Sequence, residues 1–170
     1  MANVKFLKKE EIMIYLDYAA NTPVEEDVIE TFVRATQAYI ANPNSTHALG
    51  KIAKEKIEEE TEKIAAYFKT RKESVIYTSG ASEANNLVIK GVAEKNKKLG
   101  NHIIISEVEH SSIVAPCNFL SHLGYDISIL PLKKNGSVDL DILKKIINDR
   151  TILVSIATVD SELRNHSTNR

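Results

Sequence analysis

Residues 74–106, SVIYTSGASEANNLVIKGVAEKNKKLGNHIIIS, decide the fold class. SVIYTS and HIIIS are short, nearly continuous apolar runs, the pattern of strands buried on both faces. ASEANNLVIKGVAEKNKK between them reads as an amphipathic helix, entered through a bend at Gly80. The alternation continues downstream. A helix is expected around SSIVAPCNFLSHLG, interrupted or started by Pro116, then strand DISILPL, turn KKNGSVD, helix LDILKKIIN and strand TILVSIATV. Strands alternating with helices predict an α/β fold, a mainly parallel sheet flanked by helices. Such a sheet binds ligands at the carboxyl ends of its strands.

Upstream, MIYLDYAANTP gives a short extended segment. Thr22 as N-cap, Pro23 at the first helical position and Glu25 reaching back predict a helix through about Tyr39, with Val28, Ile29, Phe32 and Val33 at helical spacing. ANPNSTHALG breaks it, because Pro43 and its asparagines favour turns. A second helix is expected from Ser45 or Thr46, with Leu49, Ile52, Ala53, Ile57, Ile64, Ala65 and Phe68 as its buried stripe. Several strands of such a sheet would need neighbours that these residues do not supply, which predicts poor solubility or an expanded state for the chain on its own.

Bulk properties exclude several classes. The chain has 170 residues, enough for one compact domain, and its 22 basic and 23 acidic residues give a net charge of -1. No large field favours nucleic acid or an anionic membrane. No apolar run is long enough to span a bilayer, and MANVKFLKKEE lacks the apolar core of a signal peptide, so a cytoplasmic location is expected. Charge runs such as EKIEEETEK read as solvated helix faces. Cys117, the single cysteine, lies among apolar residues and reads as a buried structural thiol.

Chemistry has three candidate places. In YTSGASEANNL a strand end meets a helix start, which would expose backbone N–H groups and hydroxyls to an anion such as phosphate, although Ser82 and Glu83 could equally just cap the helix. In SEVEHSSIV, His110 follows a strand's carboxyl end, where a histidine can stack on an aromatic ligand, move protons or simply cap a helix. Asp17, Asn21, Asn42 and His47 sit in two turns, which turn chemistry alone could explain. The histidines have no metal-ligand spacing, so no metal is expected.

Together, YLDYAANTPV, NPNSTHALG, IYTSGASEANNLVIKGVA, IIISEVEHSSIV and NGSVDLDILKKIINDRTILVSI resemble, in order and spacing, the N-terminal half of class V pyridoxal-phosphate enzymes, and within them cysteine desulfurases of the NifS/IscS type. The resemblance runs to about Glu162. It implies part of a fold type I large domain over residues 15–163, after a leader and first extended segment at 1–14, and a homodimer. It implies that Ala81 and Ser82 bind the phosphate of pyridoxal 5'-phosphate, and that His110 stacks on the pyridine ring and is the catalytic proton carrier. Ser161 takes the place of the family's asparagine that contacts the cofactor's ring hydroxyl. The implied activity converts L-cysteine to L-alanine and passes sulfur through an enzyme persulfide to an iron–sulfur scaffold or a tRNA-thiolation acceptor. A Schiff-base lysine, a pyridine-pairing aspartate and a persulfide cysteine are not assignable in this chain, and Cys117 lies on the wrong segment for the last. The chain alone is therefore expected to be inactive. The alternatives are a non-catalytic truncation or interaction module, and another class V aminotransferase or lyase.

The resemblance stops within VDSELRNHSTNR, residues 159–170. Removing one nucleotide from one permitted codon choice for RNHSTNR restores Gly-Thr-Ile-Gln-Pro-Ile, the family's continuation. The expectation is a frameshift after Leu163, with 164–170 a non-native tail. Reading the gene decides it, since no intact alternate frame would exist if the idea is wrong.

Overall fold

The computed structural model describes residues 14–18 and 20–158. The leader, Ser161 and the 164–170 tail lie outside the described residues. The described residues form two compact units, divided between Tyr77 and Thr78.

The second unit carries the sheet. Strand β1 (His102–Ser106) lies between β2 (Asp126–Leu130) and β3 (Thr151–Ser155), and both pairings are parallel. Every residue of β1 is buried, as the centre of a doubly covered sheet requires. Side chains alternate between faces. Ile103 and Ile105 pack with Ile89 and Ala93 of α3 (Ala81–Asn96) and with Cys117 and Leu120 of α4 (Ser111–Ser121). Ile104 points the other way, with Leu130, Val138 and the partly buried Ile142, Leu143 and Ile146. The last three belong to α5 (Leu140–Ile146), where the Asp139 carboxylate accepts from the amides of Asp141 and Ile142. Pro116 neither starts nor interrupts α4. It lies buried inside the helix. At the amino end of β1, Gly100 passes so close to the Arg150 backbone that a Cβ would collide with it.

The first unit contains α1 (Glu26–Ala38), α2 (Ala48–Tyr67) and a 3₁₀ turn at Lys72–Ser74. Helix α1 starts later than the sequence suggests. Thr22 does not cap it; Glu25 is the N-cap, through its backbone carbonyl only. The Tyr15 hydroxyl lies 2.7 and 3.0 Å from the Asp17 and Asn21 carbonyls, holding the preceding residues in a turn. Glu26 and Asp27 then occupy the first turn, where acidic groups complement the positive helix end. Helix α2 also begins later, after an Asn42 turn in which the side-chain oxygen accepts from the Asn44 amide at 2.9 Å. His47 is its N-cap, with Nδ1 accepting from the Gly50 amide at 3.3 Å.

Two further expectations require correction. SVIYTS does not join the described sheet: residues 72–74 make the 3₁₀ turn and 75–78 have no regular structure. Thr61 Oγ1 donates to the Ile57 carbonyl at 2.6 Å, so the Tyr77 hydroxyl, 2.7 Å from Thr61 Oγ1, is the donor to it. That bond ties the segment to α2, and a strand without a paired neighbour has no ladder to hold it. The apolar stripe of α2 is also largely uncovered. Ala53 and Ala65 are buried, whereas Leu49, Ile52, Ile57, Ile64 and Phe68 are exposed, as are Val28, Ile29, Phe32 and Val33 of α1. Helix α1 has no buried residue, so the two helices do not seal each other's stripes.

Candidate functional site

The turn at residues 78–83 joins extended backbone to α3. Gly80 is the N-cap and its side of the helix end carries no side-chain cap. The first bond closed within α3 runs from the Ala84 amide to the Gly80 carbonyl at 3.1 Å. The amides of Ala81, Ser82 and Glu83 therefore precede the helical ladder and have no partner within it. Ala81 and Ser82 are exposed, and a Cβ built at Gly80 meets open space. Glu83 does not reach those amides. Its Oε2 accepts from the Ser79 amide at 2.6 Å and from Ser79 Oγ at 2.7 Å. Chiefly the backbone bond, then the hydroxyl, lowers its carboxyl below the usual range. The turn is thus stapled from within while its outer amides and the Ser82 hydroxyl stay open to an anion.

His110 is exposed and caps α4. Its Nδ1 accepts from the Ser112 amide at 3.1 Å and lies 2.9 Å from Ser112 Oγ. Ser112 is buried, and its Oγ accepts from Asn85 Nδ2 at 2.9 Å. Asn85 is one turn into α3 and Ser112 is in the first turn of α4. This bond draws the amino ends of the two helices together at the carboxyl end of β1, where an α/β sheet binds its ligands. Both helices direct the positive ends of their dipoles there.

A carboxylate that the sequence reading did not single out secures the loop between β1 and α4. Glu109 Oε1 accepts from Ser106 Oγ at 3.0 Å and from Ser155 Oγ at 3.3 Å. The Ala157 amide donates to Ser106 Oγ at 3.4 Å. Glu107 Oε2 accepts from the Leu132 amide at 3.1 Å. The residues flanking His110 are thus fastened to both outer strands. The only sequence signal was Ser106 and Glu109 three apart after a strand, a spacing shared by many turns.

The other candidates separate. Ala81, Ser82 and His110 share the second unit, whereas Asp17, Asn21, Asn42 and His47 lie in the first. Ser161 lies outside the described residues. Cys117 is buried, and desolvation first, then the Glu109 charge, pushes its thiol up. That is the setting of an inert thiol. His102, at the opposite end of β1 from His110, is buried between Ser128 Oγ and Thr151 Oγ1, each 2.8 Å from a ring nitrogen. Among the described residues no cluster of His, Cys, Asp and Glu suits a metal ion, and no helix is long and apolar enough to cross a membrane.

The class-V aminotransferase family matches residues 14–164. Cysteine desulfurase IscS of Dictyoglomus turgidum is 43% identical over 150 residues, which is 88% of this chain and 38% of that protein. Cysteine desulfurase IscS 1 of Archaeoglobus fulgidus is 36% identical over 89% of this chain and 40% of its own length. Among solved structures, a NifS-like protein superposes with a TM-score of 0.82 at 32% identity, covering 88% of this chain and 41% of that one. SspA in complex with cysteine gives a TM-score of 0.80 at 34% identity, covering 91% of this chain and 44% of its own. The chain spans about two-fifths of the length of these relatives.

Proposed function

The chain belongs to the class-V aminotransferase family, and on that premise we propose that it supplies the phosphate-holding and ring-stacking part of a cysteine desulfurase. The family depends on pyridoxal phosphate, which when bound serves as the electron sink for the reaction. The observation that carries the proposal is the meeting of the open α3 amino end with His110 at the carboxyl end of β1. The donor set fits the cofactor's phosphate: outer amides at a positive helix end with the Ser82 hydroxyl beside them, while the Glu83 carboxylate is turned to Ser79.

In this reading Ala81 and Ser82 hold the phosphate, and His110 stacks on the ring and carries a proton at Nε2. Ser161 contacts the ring hydroxyl. The fastening of the loop by Glu107 and Glu109 keeps the His110 backbone fixed while its ring meets a ligand. L-Cysteine is the substrate, a reading supported by the structural neighbour solved with cysteine. Sulfur passes to an iron–sulfur scaffold or a tRNA-thiolation acceptor, and the working form is a homodimer in the cytoplasm. The chain alone holds cofactor groups without completing the chemistry, because it offers no assignable lysine to anchor the ring and no exposed cysteine to receive sulfur.

The test compares pyridoxal phosphate with phosphate-free pyridoxal on the isotopically labelled 170-residue chain. Pyridoxal phosphate should shift the Ala81 and Ser82 amide signals, pyridoxal should not, and Ser82→Asp should remove the response by like-charge repulsion. No phosphate-dependent shift would defeat the phosphate assignment. Sulfide release from L-cysteine by the chain alone would defeat the division of labour.

A further inference from the structure

We infer that Asn85 and Ser112 are positioning residues for His110: a relay from Asn85 through the Ser112 hydroxyl to Nδ1 fixes which ring nitrogen carries the proton. The inference deepens the proposed function, and its meaning for catalysis rests on that reading.

The donor directions follow from the atoms present. A backbone N–H can only donate, so Nδ1 of His110 presents a lone pair to the Ser112 amide at 3.1 Å. The Asn85 amide nitrogen can likewise only donate, so the Ser112 oxygen is an acceptor at 2.9 Å. The Ser112 hydroxyl hydrogen is then free to point at Nδ1, 2.9 Å away. Nδ1 takes two converging donors, and the proton of the neutral ring sits on Nε2. Ser112 is buried and Asn85 half-buried, so water competes poorly for these bonds. The same Asn85 stands one turn below Ala81 and Ser82. A shift of α3 on binding an anion therefore reaches the histidine through one side chain. His110 would face a bound ring as a donor at Nε2, and a proton on Nδ1 would break the bond from the Ser112 amide and turn the Ser112 hydroxyl from donor to acceptor.

The chain, labelled with ¹⁵N at histidine and at a pH where the ring is neutral, reports each ring nitrogen separately. His110 should show an unprotonated, hydrogen-bonded Nδ1 and a protonated Nε2. Asn85→Ala should move the Nδ1 signal by several ppm although Asn85 does not touch the ring. That response should vanish in a Ser112→Ala background and persist in Ser112→Thr, which keeps the hydroxyl. Asn85→Asp gives a second, size-matched variant. It accepts from the Ser112 hydroxyl and should withdraw that hydrogen from Nδ1, moving the signal in the same direction. The His102 ring, held by Ser128 and Thr151, is an internal gauge of the fold. A protonated Nδ1 in the unaltered chain would overturn the relay. So would an Asn85 effect that survives in Ser112→Ala, because that effect would be general loosening of α3 against α4. No cofactor is added, so the outcome is independent of the pyridoxal phosphate test. Relay without phosphate-dependent binding would defeat the function alone.

Discussion

The two units are built from similar apolar content and end in opposite states. In the second, β1 is sealed on both faces: Ile103 and Ile104 are 0% exposed. In the first, Phe32 of α1 is 72% exposed, and α1 has no buried residue. The difference lies in what each element brings with it. A parallel strand must be followed by a crossover, and the crossover helix covers the strand it has just left. Helices α4 and α5 arrive as cover in this way, and α3 packs on β1 beside α4. A pair of helices has no such guarantee, and α1 and α2 enclose a groove of about 670 Å³ with Phe32, Tyr39, Ala53, Ile57 and Tyr77 on its walls.

The largest predicted effect tests that contrast directly. Ile103→Ala empties a sealed position and should cost about 2–5 kcal/mol. Phe32→Ala should change stability by less than about 0.5 kcal/mol, as for other exposed positions. Urea unfolding of the 170-residue chain measures both. Equal losses would mean that the α1 face is covered in solution and that the contrast is false.

A smaller loss is expected where backbones meet. Gly100→Ala would press a Cβ into the Arg150 carbonyl, which cannot rotate aside as a side chain could. Overpacking of this kind costs about 1–3 kcal/mol, and it should lower the thermal midpoint of the sheet unit. An unchanged midpoint would show that the start of β3 gives way freely. Smaller again is Tyr77→Phe in the first unit. It removes the donor to Thr61 Oγ1 and should cost about 1 kcal/mol. Hydrogen exchange should rise at residues 75–77 and stay constant in β1. Faster exchange in β1 would mean that the segment belongs to the sheet after all.

These particulars separate what the sequence could disclose from what it could not. HIIIS was legible as a sealed strand because only a doubly covered position tolerates so continuous an apolar run. VIY looked alike, yet burial there depends on a pairing partner, which no local pattern encodes. For the same reason the spacing of Leu49, Ile52 and Ile57 marks a helix face correctly and says nothing about whether anything lies on it. At the candidate site, Ala81, Ser82 and His110 were singled out because the loops that lead into helices have a recognisable chemistry. The Asn85–Ser112 bond and the Glu109 fastening were not, because each depends on tertiary neighbours: residues 85 and 112 on two helices, residue 109 in the loop after β1 and residue 155 at the end of β3.

The finest distinction concerns the carboxylates of the two units and their response to acid. Glu59 of α2 is lowered to about 2, first by the hydrogen bond from Lys63 and then by that from Lys56. Glu83 is lowered by the Ser79 amide and hydroxyl, with no cation involved. In both cases the folded carboxyl lies below its unfolded value. The stabilisation is therefore fully present above the ordinary carboxylate range and lost as pH falls through the folded value. Salt separates them, because it screens exposed ion pairs and leaves a short hydrogen bond to a backbone amide largely intact. Followed by NMR, the Glu59 titration should move up toward the usual carboxylate range in 1 M salt, whereas the Ser79 amide should report an almost unchanged Glu83 titration. Glu83→Gln should flatten the acid response of the Ser79 amide and leave that of Glu59 untouched. A Glu83 midpoint as salt-sensitive as that of Glu59 would mean that the turn before α3 is held by long-range charge, and the stapling by Ser79 would lose its support.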